Sequence, residues 1–364
     1  MSSSQAQRFA ETYAVVDFYN SPESGLQAAV FSNASGKKYL AIRGTESPAD
    51  FLTDAIDIAL LGSTNLQLQY RNLKAKVVAW ITDGTLSPSF TVTGHSLGGF
   101  LAGALTVDFP NNVSHAYLYN APGVGGVAAT LTSGLKSLLG LASQPTLDLS
   151  RISNIRSDAG ISPIAGLGVA WGQPIPIGIE NQLDTALLPN VPAALNHSMQ
   201  PLTDSTSIYA TLFRLAPAAT IEQIGSVFKA ASPVNSKTLE STLDSLRRLI
   251  VGTDIVATPD GDRDAFHSNR QGLDAAVTDG GTQGAFELRL IPSVAGMVQN
   301  AMQDDAEGLS YRYALRELNP YILVGGATAY SMHNIAGSLD LYAEDSHGGT
   351  LTDAWMRDRA NFLA

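Results

Sequence analysis

Ser96 has the surroundings of a nucleophile. It is the third residue of Gly94-His95-Ser96-Leu97-Gly98, a G-x-S-x-G pattern. The preceding Phe90-Thr91-Val92-Thr93 is β-branched and aromatic and predicts a short strand. The following run from Gly98 to Leu105 is small and apolar and predicts a tightly packed helix. A strand that turns through G-x-S-x-G into a helix presents its serine as a nucleophile. The turn is sharp enough to strain the serine backbone, and side chains two residues before and after it would collide, so glycines stand there. The helix behind it aims its first N–H groups at the reaction site, and the N–H of Leu97 can donate to an oxyanion. The plain alternative is an ordinary glycine-rich turn; the flanking strand and helix favour the nucleophile.

A nucleophilic serine works with a base and an acid that orients the base. The chain has six histidines. His95 sits inside the elbow and reads as a packing residue, and His115 starts a strand away from the catalytic edge. His267, His333 and His347 belong to the C-terminal region. His197 follows a Gly/Pro-rich stretch from Gly166 to Pro192 that reads as a long loop, and it precedes a helix. A histidine placed there can swing to meet Ser96, or can simply be solvated. Within Ile152–Pro163 a short β-like run ends in a polar turn that Asp158 opens, the setting of an acid aimed at a histidine and also of ordinary turn chemistry. Its competitors, Asp148 and Asp184, follow no clear strand. Arg43-Gly44-Thr45 closes another predicted strand. Thr45 is placed to offer an N–H and a hydroxyl to an oxyanion, or to serve as a helix cap or ST-turn.

The elements that must hold these residues suggest an α/β fold. Strands are predicted over 27–32 and 38–43, joined by Asn33-Ala34-Ser35-Gly36, and helices over 8–20 and 71–83. With 364 residues, 45% of them hydrophobic, there is material for one large α/β domain or two smaller ones. A formal net charge of −11 argues against a basic surface for nucleic acid or anionic membranes. There is no apolar run of about 18 residues to span a membrane. The absence of cysteine excludes disulfides, thiolate metal sites and a cysteine nucleophile. The scattered histidines form no H-x-x-x-H pair, which argues against a metal-dependent hydrolase.

Ala41-Ile42-Arg43-Gly44-Thr45, then Thr93-Gly94-His95-Ser96-Leu97-Gly98-Gly99, then Tyr117-Leu118-Tyr119-Asn120-Ala121-Pro122-Gly123 resemble, in that order, three motifs of the class 3 lipase family of α/β hydrolases. The resemblance covers roughly residues 10–205. It implies a mainly parallel sheet flanked by helices, with Thr45 and Leu97 forming the oxyanion hole. It also implies triad members following Ser96 in the order Asp then His, which selects Asp158 and His197. The expected chemistry is carboxylic ester hydrolysis through an acyl-enzyme on acylglycerols or other fatty esters, with no cofactor and transient contact with a lipid interface. Phospholipase A1 activity uses the same machinery, and an inactive binding module is the non-enzymatic alternative. In that family a mobile lid follows Arg-Gly-Thr, here near Ile56–Leu61. Residues 127–143, with leucines at helical spacing, are a second candidate for a lid or acyl-binding helix, against an ordinary amphipathic helix.

His197-Ser198-Met199-Gln200-Pro201-Leu202-Thr203-Asp204, together with Ser310–Pro320 and Leu351–Leu363, is similar to segments of lipase domains in bacterial secreted proteins with glycine-rich calcium repeats. Asp260-Gly261-Asp262-Arg263-Asp264 is too isolated to be such a repeat and reads as a solvated turn. The expected organisation is a catalytic domain over 1–205 and a mostly helical region over 206–364, packed on or near the active-site mouth. Met1-Ser2-Ser3-Ser4-Gln5 lacks the basic and apolar run of a signal peptide. Export without an N-terminal signal is therefore expected, with a cytoplasmic location as the alternative.

Overall fold

A computed structural model describes residues 1–44, 64–123, 148–158, 169–180, 196–230 and 238–363. They fall into two compact units. One is Ala6–Ile177 with Asp184–Met199, and the other is Met1–Gln5, Gly178–Leu183 and Gln200–Ala364.

The first unit is built on a seven-stranded sheet whose strands lie in sequence order. These are β1 (Tyr13–Ser21), β2 (Leu26–Asn33), β3 (Lys38–Ile42), β4 (Phe90–His95), β5 (Val113–Tyr119), β6 (Ile152–Ser157) and β7 (Pro174–Ile177). β1, β2 and β3 pair antiparallel, and β3 through β7 pair parallel. The α/β expectation holds, and the carboxyl ends of the parallel strands form one edge, the place where such sheets bind ligands. Helix α1 (Ser3–Thr12) leads straight into β1, while α2 (Thr64–Thr82) packs against β2 and α3 (Leu97–Asp108) against the parallel strands β3, β4 and β5.

Two expectations need correction. Residues 8–20 are not one helix: the helix stops at Thr12, and Tyr13–Ser21 is a strand. Its run of Tyr, Val, Phe and Tyr has β propensity that pairing with β2 completes. The stretch 166–192 is not wholly loop, because Pro174–Ile177 forms β7. β7 is the last strand of the sheet, with β6 on one side, and an edge strand tolerates proline because one row of its N–H groups needs no partner.

The core of this unit explains the composition of α3. Residues Leu97 to Thr106 are all buried. A Cβ on Gly103 would lie 2.7 Å from the Trp171 ring, and one on Gly99 would lie 2.8 Å from the Ala121 Cβ. Small residues thus let the helix lie directly on the sheet and on Trp171, whose Nε1–H donates to Pro122 O at 3.0 Å.

The second unit is mostly helical, as expected for the C-terminal region. It contains α4 (Met199–Leu215), α5 (Ile221–Ala230), α6 (Leu239–Ile250), α7 (Arg263–Asp279), α8 (Val294–Ala301), α9 (Ala306–Glu317), α10 (Ala327–Ser331) and α11 (Asp353–Leu363). Its small sheet pairs β8 (Phe286–Leu290) with β9 (Tyr321–Gly325) antiparallel. Tyr321, Ile322, Leu323 and Leu249 are buried core residues. Asp262 caps α7 by accepting from Ala265 N, so the Asp260–Asp264 run is a capping turn. Among the described residues no group of acidic or histidine side chains could hold a metal ion, and no helix is long and apolar enough to cross a membrane.

Candidate active site

The sheet register brings three residues to the carboxyl edge. His95 lies opposite Tyr119, and Tyr119 lies opposite Ile155. Just past the strands, each chain bonds once more to its neighbour. Ser96 N donates to Tyr119 O at 2.9 Å, Asn120 N to Ile155 O at 2.9 Å, and Asp158 N to Ile177 O at 3.0 Å. Ser96, Asn120 and Asp158 are therefore held in a row by main-chain bonds.

Ser96 itself has φ 55° and ψ −127° and occupies the N-cap of α3. A serine at that position ordinarily bonds its hydroxyl to the first turn of the helix. Ser96 makes no such capping bond, so its Oγ is not committed to holding the helix. It is buried, and Leu97, whose N–H opens the helix beside it, is buried too.

The glycines around it are there for room. A Cβ on Gly94 would lie 2.3 Å from the carbonyl carbon and oxygen of Gly98. A Cβ on Gly98 would lie 2.2 Å from Ile42 O and 2.8 Å from Arg43 C, and one on Gly44 would lie 2.5 Å from His95 O. All of these are main-chain atoms that cannot swing aside. Gly98→Ala is therefore expected to destabilise the fold by at least about 3 kcal/mol. Gly272→Ala in the interior of α7, where a Cβ meets nothing within 4 Å, is expected to stabilise by about 0.5–1 kcal/mol. Urea melts of the two variants check the pair. Equal midpoints would mean that the elbow is not sterically closed.

His197 is buried beside the elbow. Its ring centroid lies 4.9 Å from that of His95, with the planes at 51°. His95 Nε2–H donates to the His197 carbonyl at 2.7 Å, and Asn120 Nδ2–H donates to the same carbonyl at 2.8 Å. Burial first, and the His95 ring second, push the His197 pKa down from 6.5 to about 3. At neutral pH His197 is the uncharged imidazole, the form that can accept a proton. Burial also lowers the pKa of His95, opposed by its bond to His197 O.

His95 thus departs from its reading as a packing residue, and Asn120 drew no attention in the sequence. The other candidates sort plainly. Asp158 directly follows β6, as expected. Asp148 caps a short turn by accepting from Ser150 N. Asp184, Thr45, Ile56–Leu61 and 127–143 lie outside the described residues. His115 bonds Ser153 Oγ at 2.9 Å, and buried His267 bonds Asp204 Oδ1 at 2.7 Å.

The second unit has a cleft of about 270 Å³ lined by Glu180, Asp204, Glu240, Asp260 and Arg263 among others. Its acids hold structure: Asp204 takes Arg263 Nη2 at 2.6 Å, Glu180 accepts from Leu239 N, Glu240 from Gly261 N, and Asp260 from Thr238 Oγ1.

No protein-family profile and no curated protein matches the sequence. Solved structures that the chain is similar to include fungal lipases. Lipase II from Rhizopus niveus is 20% identical at a TM-score of 0.32, covering 44% of this chain and 63% of that one. Lip2 lipase from Yarrowia lipolytica is 20% identical at 0.29, covering 42% and 60%. A triacylglycerol lipase from Penicillium expansum is 20% identical at 0.27, covering 42% and 64%. The chain spans less than two thirds of the length of each.

Proposed function

We propose that this chain is a serine hydrolase of carboxylic esters, acting on acylglycerols or other fatty esters. The observation that carries the reading is Ser96: a serine strained at φ 55° on a strand-to-helix elbow, at an N-cap where its hydroxyl makes no capping bond. In this reading Ser96 Oγ attacks the ester carbonyl while His197 takes its proton, and the oxyanion is met by the N–H groups of Leu97 and Thr45. His197 then gives the proton to the departing alcohol. Water, deprotonated by His197, attacks the acyl-enzyme; the carboxylic acid leaves, and the proton returns to Ser96. Asp158 orients the imidazole and stabilises its cation. The neutral state of His197 at pH 7 supports its role as base, and the placement of Asp158 on the same sheet edge supports its role as acid. The substrate meets the protein from a lipid interface.

A fluorophosphonate probe tests this, with mass spectrometry of the labelled peptides and turnover of p-nitrophenyl esters of increasing acyl length. The label is expected on Ser96, and the chain-length profile then separates an esterase from a lipase. A protein that neither labels nor hydrolyses any ester, with detergent present, would leave a hydrolase fold used for binding.

A further inference from the structure

We propose that Asn120 and His95 are positioning residues of this site, fixing the His197 imidazole by clamping the main-chain carbonyl of His197 from two sides. The proposal rests on the ester-hydrolase reading above. Its geometry is set by a single acceptor: His197 O receives Nε2–H of His95 at 2.7 Å and Nδ2–H of Asn120 at 2.8 Å. A carbonyl oxygen has two lone pairs, so both are engaged, and His95 must carry a proton on Nε2 whatever its charge.

Asn120 does more than hold His197. Its Oδ1 accepts the N–H of Ser157 at 2.9 Å, and Ser157 is the residue before Asp158. One fully buried amide therefore bridges the acid-bearing strand end and the base-bearing segment. The two partners dictate which end of the amide is which: the N–H of Ser157 needs the oxygen, and the His197 carbonyl needs the nitrogen. Asn120 sits at φ 46°, in the left-handed region that asparagine enters more readily than most residues. Its own N–H is pinned to Ile155 O. His95 supplies the other half of the frame. It ends β4 and directly precedes Ser96, so its ring ties the main chain of the base to the residue beside the nucleophile. Together the two bonds set the His197 main chain relative to Ser96 on one side and to Asp158 on the other. A shift of about 1 Å in a catalytic group can cost on the order of 100-fold in rate.

A merely structural role predicts lost stability alone, and three variants separate the cases. His95→Phe keeps a ring and loses the donor. His95→Gln puts an amide N–H where Nε2 stood. Asn120→Asp keeps an acceptor for Ser157 but has no N–H to give His197. Each is measured for kcat and KM on a soluble short-chain p-nitrophenyl ester, for thermal unfolding, and for the His197 imidazole ¹⁵N resonances in histidine-labelled protein.

His95→Phe and Asn120→Asp are expected to lower kcat on the order of 10–100-fold per folded molecule with KM little changed, and to move the His197 resonances. His95→Gln is expected to restore most of kcat and the wild-type resonances. If Asn120→Asp does not fold, the His95 pair decides. The proposal is overturned if His95→Gln is no better than His95→Phe, if the loss of kcat only follows the unfolded fraction, or if the His197 resonances stay in place. A wild-type protein that neither labels nor turns over ester sinks the hydrolase reading instead, and the resonances then decide the positioning claim by themselves.

Discussion

Ser96→Gly is expected to stabilise the fold by about 1 kcal/mol while removing ester turnover. Ser96 sits at φ 55° and ψ −127°. That φ is left-handed, but the ψ is far from the small left-handed basin that L-residues visit. Holding a side chain there costs on the order of 1–3 kcal/mol. Glycine takes the conformation without strain and loses roughly 0.5–1 kcal/mol to the entropy of a freer unfolded chain, so the net gain is about 1 kcal/mol.

Ser96→Ala is the control. It keeps the Cβ and its strain and removes only the hydroxyl, so its stability is expected to stay within about 0.5 kcal/mol of the wild type. Both variants lack the proposed nucleophile, and kcat is expected to fall on the order of 10⁴-fold or more in each. Urea unfolding and ester turnover on the three proteins check this. A glycine variant no more stable than the alanine variant would mean that the elbow stores no strain. The surroundings explain how the strain persists: Ser96 N is bonded to Tyr119 O, Phe100 N to Ser96 O, and the backbone of Gly98 lies against that of Ile42. Relaxing Ser96 would mean moving β4 or α3 within a packed core. The same constraints that destabilise the serine leave its hydroxyl clear of the helix cap.

Such steric demands explain what could be read in the sequence. The elbow was legible because close backbone approach restricts residue type locally: Gly94, Gly98 and the small face of α3 can be recognised without knowing what they touch. The parallel strands β3 and β4 were legible for a similar reason, as apolar β-branched and aromatic runs bounded by turns. β1 was not, because nothing within Arg8–Asn20 marks where the helix hands over to the strand. That boundary is set by pairing with β2, from Tyr13 opposite Asn33 to Ser21 opposite Leu26. β7 was hidden by its prolines, which only an edge position allows. His95 and Asn120 were missed because their partner is a main-chain carbonyl 102 and 77 residues away. A carbonyl has no residue type to search for. The one local sign at Asn120 was an asparagine ending a strand just before Ala-Pro, where a left-handed residue turns the chain.

Acid is expected to destabilise the fold well before it protonates His197, the base of the proposed mechanism. The unfolded chain protonates His197 near pH 6.5, but the folded protein holds it neutral down to about pH 3, through burial first and the His95 ring second. Between those values the unfolded state binds the extra proton, so stability rises with pH across that window and is lost as pH falls through it. Each pH unit there corresponds to about 1.4 kcal/mol, so His197 alone is expected to remove about 3 kcal/mol between pH 7 and pH 4.5. His95, also lowered by burial, acts in the same direction. His197→Gln, which cannot titrate, is expected to show a stability profile flatter by about that amount over the same interval. Turnover per folded molecule behaves oppositely. A base with an ordinary histidine pKa would lose about tenfold per unit below pH 6.5, whereas the wild-type protein is expected to hold its kcat/KM nearly level from pH 7 to pH 5. Urea melts and ester kinetics at matched pH read the two trends separately. Coincident stability profiles for the wild type and His197→Gln, or a kcat/KM that breaks near pH 6.5, would show that His197 titrates like a solvated imidazole. The base would then be accessible to water in the resting protein. If stability falls while kcat/KM stays level, the burial that keeps His197 neutral and ready to accept a proton from Ser96 is also what makes the fold sensitive to acid.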